Sequence, residues 1–328
     1  MKPTDFAKYI SDYFTIYLPG QRGLSANTII SYRDTFCLFL EFCKNEKNVK
    51  IEKFTLNQFN KEIIDDYLMW LEQDRKCSAS TRNQRLSAIH AFCRYLISEA
   101  PEHMLACQRV LSIKLKKHSK PLIRYLSSAQ ISNILLKPDC ADRYGRRDLA
   151  MLCLLYDTGA RVSELTNIKA KDVRVDDFPV VKLTGKGQKT RAVPIMSKTA
   201  EHLRNYIAEH NLDVPERAND FLFTNRQKQK FTRAGITYIL QKYSDDGKIT
   251  PHILRHTKAM HLLQAGINIV YIRDILGHVD ISTTEMYVRA DTEMKREAME
   301  KVHQDLSPNN LPDWNKDSNL MDWLRNLS

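Results

Sequence analysis

The chain has 328 residues, enough for two domains of ordinary size, and 43% are hydrophobic against 27% charged, which excludes a disordered polyelectrolyte. Its 50 lysines and arginines outnumber 39 aspartates and glutamates, and the formal net charge of +11 favours a polyanionic partner: nucleic acid first, because each neutralised phosphate releases a counterion, and an anionic membrane second. No apolar run approaches bilayer length and Met1 to Ile10 read as a polar–apolar helix, which points away from a membrane and towards the cytoplasm.

The first third reads as helices. Phe6, Tyr9, Ile10, Tyr13, Phe14 and Tyr17 recur at helical spacing until Pro19-Gly20, which reads as a stop. A second helix starts after Ser25 and carries Ile29, Tyr32, Phe36, Phe39, Leu40 and Cys43. Ile63, Tyr67, Leu68 and Leu71 mark a third. A fourth follows Ser80 with Leu86, Ile89, Phe92, Cys93 and Leu96, ending near Pro101. Four helices with short connections imply a small bundle over residues 1–112. Arg82, Arg85 and Arg94 lie on the polar face of the fourth helix, where they either solvate it or grip phosphates; the two readings weigh equally.

Residues 113–121, with Lys114, Lys116, Lys117, His118 and Lys120 before Pro121, are basic and aperiodic and read as an interdomain linker able to cross a DNA backbone. Residues 122–306 form a second, mostly helical domain with one β signal: Val180–Leu183 and Ala192–Ile195 flank the turn Gly185–Arg191 as a hairpin. Residues 307–328 are a polar tail with an amphipathic patch at Leu320, Met321, Trp323 and Leu324. The seven cysteines are odd in number and include no C-x-x-C pair, so free thiols in a reducing compartment are expected.

Four segments carry chemistry. In Thr158-Gly159-Ala160-Arg161-Val162-Ser163-Glu164-Leu165, Gly159 stops a helix and Arg161 is held by Glu164 one turn on, a preorganised fork for phosphate that taken alone is an ordinary surface ion pair. Lys186, between two glycines, extends from the hairpin tip, where it can donate a proton or merely aid solubility; the P-loop spacing is absent. In Thr250-Pro251-His252-Ile253-Leu254-Arg255-His256, Thr250 is an N-cap, Pro251 the first helical residue, and His252 and Arg255 share a face. His252 and His256 have zinc-ligand spacing, but Ile253 occupies the glutamate position of H-E-x-x-H, and His256 is read as making a structural hydrogen bond. Last come Leu276-Gly277-His278 and Ser282-Thr283-Thr284-Glu285-Met286-Tyr287, in which Ser282 and Glu285 form a capping-box pattern that puts Tyr287 on a short helix.

Together these segments resemble the tyrosine recombinases, or phage-type integrases, whose pattern runs A-R-x-x-E-L, a hairpin lysine, H-x-L-R-H, L-G-H and T-T-x-x-Y in this order. The match spans about half the chain and departs at no key position; Gly185-Lys186-Gly187 favours Lys186 over Lys189 as the hairpin lysine. The N-terminal helices resemble the family's SAM-like core-binding domain on a looser basis, and the opening stretch looks most like recombinases of bacterial mobile elements.

The resemblance implies a mainly α fold with a small β-hairpin, and DNA strand cleavage and rejoining through a 3′-phosphotyrosine at Tyr287. It implies that Arg161 and Arg255 clamp the scissile phosphate, His278 adds a hydrogen bond, Lys186 protonates the 5′ oxygen, His252 is the acid–base partner of the tyrosine and Glu164 supports the site. It implies no metal or ATP, a double-stranded DNA partner, and a tetramer of this chain or of related recombinases on two duplexes, with the tail docking on a neighbour or packing back on its own chain. The rival readings are a fold-preserving DNA-binding regulator, a type IB topoisomerase and a metal-dependent nuclease.

Overall fold

Phe6, Tyr13, Phe36, Phe39 and Phe92, residues of the periodic N-terminal helices, meet in one buried core. Phe6 lies edge-on to Phe54 with ring centroids 4.8 Å apart, and Phe36 edge-on to Phe92 at 5.1 Å, arrangements the ring quadrupoles favour. The protein, seen in a computed structural model, is described for residues 3–117 and 123–278 and for Thr284, Tyr287, Asp322, Arg325 and Asn326. It divides into two units, Met1–Pro121 and Leu122–Ser328. No described helix is long and apolar enough to cross a membrane.

In the first unit α1, Asp5–Asp12, starts at the Thr4 cap and winds on as a π-helical segment, Tyr13–Gln21, with Pro19 inside it. The expected stop at Pro19-Gly20 is therefore passed: the wider turn accommodates a ring that an α-helix interior would not. Three more helices begin at side-chain caps: α2, Ala26–Asn45, at Ser25; α3, Lys61–Gln73, at Asn60; and α4, Ala79–Glu99, at Ser78. The start of α4 moves from the expected Ser80 because Ser78 has the extended backbone a cap needs and accepts from the Thr81 amide. A short fifth helix, α5, Met104–Leu111, was not anticipated.

The chain after α5 does not begin as a free linker. Ile113 is buried, the Lys114 carbonyl accepts from Arg82, and Lys116 exchanges backbone hydrogen bonds with the Asn83 amide side chain at 2.8 and 3.0 Å. Residues 118–121 of the expected linker lie outside the described residues.

In the second unit α6, Ser128–Leu136, precedes α7, Arg143–Thr158, whose apolar residues are buried almost all round. The one-turn α8, Val162–Leu165, leads to three antiparallel strands, β1 (Val173–Arg174), β2 (Val180–Thr184) and β3 (Thr190–Pro194), in that spatial order. The hairpin is the one the sequence pattern marks; two-residue β1 is too short to leave an alternation. Val181 pairs Val193 and Leu183 pairs Arg191, so these four share the face turned to the core. Helices α9, Ser197–Glu209, and α10, Arg233–Lys242, follow. Then α11, Pro251–Gln264, starts at the expected Thr250 cap with proline at its first position, and α12, Ile269–Leu276, ends at left-handed Gly277. All seven cysteines are free thiols, four of them buried.

Candidate active site

The site is assembled on the C-terminal end of α12. A helix leaves its last carbonyls without internal partners and carries partial negative charge there. The Gly277 amide donates to Asp274 O at 3.2 Å and the His278 amide to Arg273 O at 3.1 Å, a Schellman closure that uses two of those carbonyls. The next three each receive a guanidinium from a different element. Arg191 Nε of β3 donates to Ile275 O at 2.8 Å, Arg255 Nη2 of α11 to Leu276 O at 2.7 Å, and Arg161 Nη2 to Gly277 O at 3.2 Å.

Arg161 owes its position to the break between two helices. Gly159 ends α7 in the left-handed region, and Arg161, with extended backbone, is the cap residue of α8. Glu164 turns back from α8: Oε2 accepts the Arg161 amide at 2.8 Å and Oε1 accepts Arg161 Nη1 at 3.0 Å. Arg191 grips the same carboxylate through Nη1 and Nη2, at 3.0 and 2.8 Å. Burial by itself raises the Glu164 carboxyl, but the Arg191 fork, the Arg161 amide and the two charges outweigh it and hold the group at about 2.

Arg255 is buried and also donates through Nη1 to Gly159 O at 2.6 Å, tying α11 to the α7–α8 break. Burial, then the neighbouring Arg161, pulls its guanidinium down to about 10, still a cation at neutral pH. His278 Nδ1 lies 2.9 Å from Thr284 Oγ1. Burial and the charges of Arg255, Arg161 and Arg191 push His278 down to about 4, so the ring is neutral in the unbound protein.

Tyr287 stacks nearly parallel to His278, with centroids 6.4 Å apart and planes 14° apart, and its hydroxyl is 2.8 Å from His256 Nδ1. The ring is 1% exposed. Burial raises the phenol, and Arg255 and then Arg161 lower it in part. Burial, His252 and Arg255 lower His256, which keeps that imidazole neutral and able to accept from the phenol. A cavity of about 490 Å³ opens beside the cluster, lined by Arg161, Lys189, Arg191, Arg273, Gly277 and His278.

Arg161, Glu164, Arg255, His256, His278 and Tyr287, marked in the sequence across more than a hundred positions, thus meet at one helix end. His252 is on α11 but exposed, without a side-chain hydrogen bond among the described residues. The Lys186 backbone lies in the tip between β2 and β3; its side chain is outside the described ones, and Lys189 is the hairpin lysine that lines the cavity. Thr284 and Tyr287 are helical, whereas Ser282 and Glu285 of the capping-box reading, and the tail apart from Asp322, Arg325 and Asn326, lie outside the described residues.

The basic residues of the first unit divide. Arg82 is 6% exposed and its Nη1 donates to Lys114 O and to Asn83, so it braces α4 against the following segment instead of facing solvent. Arg85 donates to Asp34 O at 3.3 Å, and Lys116 Nζ pairs with Glu72 at 2.7 Å. Lys114, Lys117 and Arg94 are exposed.

Sequence reading missed Arg191 and Thr284. The signal for Arg191 was present: in Arg191-Ala192-Val193-Pro194-Ile195 alternation puts Arg191 on the inner face with Val193 and Ile195, and an inward arginine needs a partner. Thr284 stands in the T-T-x-x-Y segment, but no local pattern pairs it with His278, six residues earlier.

Three arginines thus converge beside His278 and the buried Tyr287 phenol, a concentration of positive charge next to a potential oxygen nucleophile. The sequence pattern described as the phage integrase family matches residues 124–294, and that described as the phage integrase N-terminal SAM-like domain matches residues 12–100. A Sinorhizobium fredii protein named as an integrase/recombinase, y4rC, is 35% identical over 92% of this chain and 92% of its own. The tyrosine recombinase XerD of Pseudomonas putida is 30% identical over 90% of this chain and 96% of its own. The Tn1549 transposon integrase, solved with a circular-intermediate DNA, shares the fold at a TM-score of 0.69 and 17% identity, over 92% of this chain and all of that one. The XerH site-specific recombinase bound to a palindromic difH substrate does so at a TM-score of 0.68 and 20% identity, over 86% of this chain and 82% of that one. The chain belongs to the phage integrase family, the tyrosine recombinases.

Proposed function

We propose that the protein cuts and rejoins double-stranded DNA at specific sites, with Tyr287 as the nucleophile and a 3′-phosphotyrosine as the intermediate. The observation that carries this reading is the meeting of Arg161, Arg191 and Arg255 beside His278 and the Tyr287 ring, with a single shared carboxylate, Glu164, touching two of the three. That arrangement leaves a surplus of positive charge where a phosphodiester gains negative charge during attack.

In this reaction the Tyr287 oxygen attacks phosphorus and the bond to the 5′ oxygen breaks. The phenol proton passes to His252, and the departing oxygen takes a proton from Lys186. Arg161 and Arg255 hold the non-bridging oxygens. His278 Nδ1 lies within hydrogen-bond distance of the Thr284 hydroxyl; in the tautomer that keeps the ring proton on Nε2, that N–H donates a hydrogen bond to the phosphate. Attack requires the buried hydroxyl to leave His256 for the phosphate, so the observed contact belongs to the resting protein. Reversal by the 5′ hydroxyl of a partner strand restores the phosphodiester, because the covalent ester conserves its energy.

Lys114 and Lys117, exposed beside the first unit, are the phosphate contacts this reading keeps from the sequence set; Arg82 and Arg85 act as struts. The working unit is a tetramer of this chain, or of it with related recombinases, on two DNA sites, acting in the cytoplasm. The task is integration, excision or transposition of a mobile element, and the likeness to y4rC and a transposon integrase supports that task. The test is covalent capture: the full chain is incubated in EDTA with a random pool of nicked duplexes, and complexes that survive SDS are recovered. DNA linked to Tyr287 is expected. Cleavage without protein-linked DNA, or abolished by EDTA, overturns the reading.

A further inference from the structure

We infer that Arg191 is a positioning residue of the cleavage site, one that frees Arg161 for phosphate by taking up the charge of Glu164; the inference rests on the strand-cleavage reading. Three features carry it. Arg191 makes three hydrogen bonds, a bidentate pair to the two Glu164 oxygens and one to Ile275 O, and its side chain is 14% exposed. Its strand register turns it inward opposite Leu183, so it reaches the site from beneath. The chain also makes room for it: a Cβ on Gly277 would stand 2.6 Å from Arg191 Nη1, at a residue whose φ of +66° already disfavours a side chain.

The physical consequence lies in charge. Arg161 and Glu164 alone are a neutral pair, and a carboxylate beside a phosphate site repels the phosphate. Arg191 engages the carboxylate face-on through both terminal nitrogens, while Arg161 gives it one side-chain nitrogen and one backbone amide. Arg161, with a side chain 33% exposed, keeps N–H groups and its full charge available to a ligand. By holding Ile275 O, Arg191 also fixes the α12 end from which Gly277 and His278 project. A lysine at this position supplies the charge but lacks the planar fork that pairs both carboxylate oxygens while Nε reaches Ile275 O.

The test uses the full chain with Arg191→Lys, alone and combined with Glu164→Gln, on a nicked duplex selected by covalent capture on the unaltered protein. Arg191→Lys is expected to keep DNA affinity within about threefold while slowing single-turnover formation of the covalent complex by about a hundredfold, the cost of a misplaced reacting group. In the Glu164→Gln background, where no carboxylate charge needs an answer, the same change is expected to cost less than about threefold, a coupling that independent folding effects do not give. Amide hydrogen exchange at Gly277 and His278 reads the α12 end without DNA and is expected to speed up in Arg191→Lys. Capture at the unaltered rate, a parallel fall in affinity, additive costs, or unchanged exchange at those two amides each overturn the inference. If the unaltered chain captures no duplex, the cleavage reading falls by itself, and the exchange measurement still decides whether Arg191 holds the helix end.

Discussion

The Tyr287 hydroxyl sits 2.8 Å from Nδ1 of His256, one turn beyond His252 on α11. In the proposed reaction two histidines of one helix divide the work: His256 holds the phenol in the resting protein, and exposed His252 is the proposed acid–base partner on DNA. His256→Ala leaves a buried phenol without a partner and is expected to cost about 1–2 kcal/mol in urea unfolding, with the cleavage rate within about threefold of the unaltered protein. His252→Ala is expected to slow cleavage by about a hundredfold or more, the contribution of a general acid–base group. Single-turnover cleavage and urea melts on both variants check the assignment, and the opposite pattern reverses the two roles.

Arg161 has the more exposed of the two proposed phosphate clamps, and its loss is expected to be read mainly in chemistry. Arg161→Ala should slow covalent-complex formation by roughly a hundred- to a thousandfold, the cost of losing a preorganised donor to a transition-state oxyanion. A loss of only about tenfold, near 1.4 kcal/mol, marks a peripheral contact instead.

Glu164 sets an acid limit on stability. Its folded-state value of about 2 lies below the ordinary glutamate value of 4.5, so its stabilisation is complete above the unfolded value and is lost as pH falls through the folded one. With a side chain 1% exposed, the shift corresponds to about 3 kcal/mol. The stability difference between the unaltered protein and Glu164→Gln should be constant from pH 7 to about 5 and shrink between about 4.5 and 2 in urea melts. A difference that does not change over that range contradicts the geometry of the carboxylate.

Gly277 is expected to tolerate no side chain. Gly277→Ala places a Cβ 2.6 Å from Arg191 at positive φ, and a loss of about 1–2 kcal/mol from the backbone conformation alone should appear in thermal melts. Cleavage should fall with it, because the displaced group is the Arg191 fork. Full activity in a stable Gly277→Ala variant contradicts the packing described.

The legible part of this protein was the part written in local pattern. Caps such as Ser25 and Thr250, the helical spacing of Phe36, Phe39 and Cys43, and the alternation around Val181 and Val193 follow from the period of each element. The motif arginines, His278 and Tyr287 were legible because the segments that hold them occur together in the order of a known family, although each alone is an ordinary pattern. What stayed hidden depends on contacts distant in sequence. The π-helical turn through Pro19 and the strand β1 carry no periodic signal. Arg82 looked like a surface cation because its acceptor, the Lys114 carbonyl, lies 32 residues away. Arg191 was hidden for the same reason, with partners on α8 and α12 that no local window contains.

The most direct test of the account is Tyr287→Phe on a nicked duplex that traps the unaltered protein. The variant loses one oxygen and keeps the ring packed beside His278. The account predicts unaltered DNA affinity and no SDS-resistant complex, while the unaltered protein yields a peptide bearing DNA at residue 287. A covalent complex formed by Tyr287→Phe at the unaltered rate would contradict it.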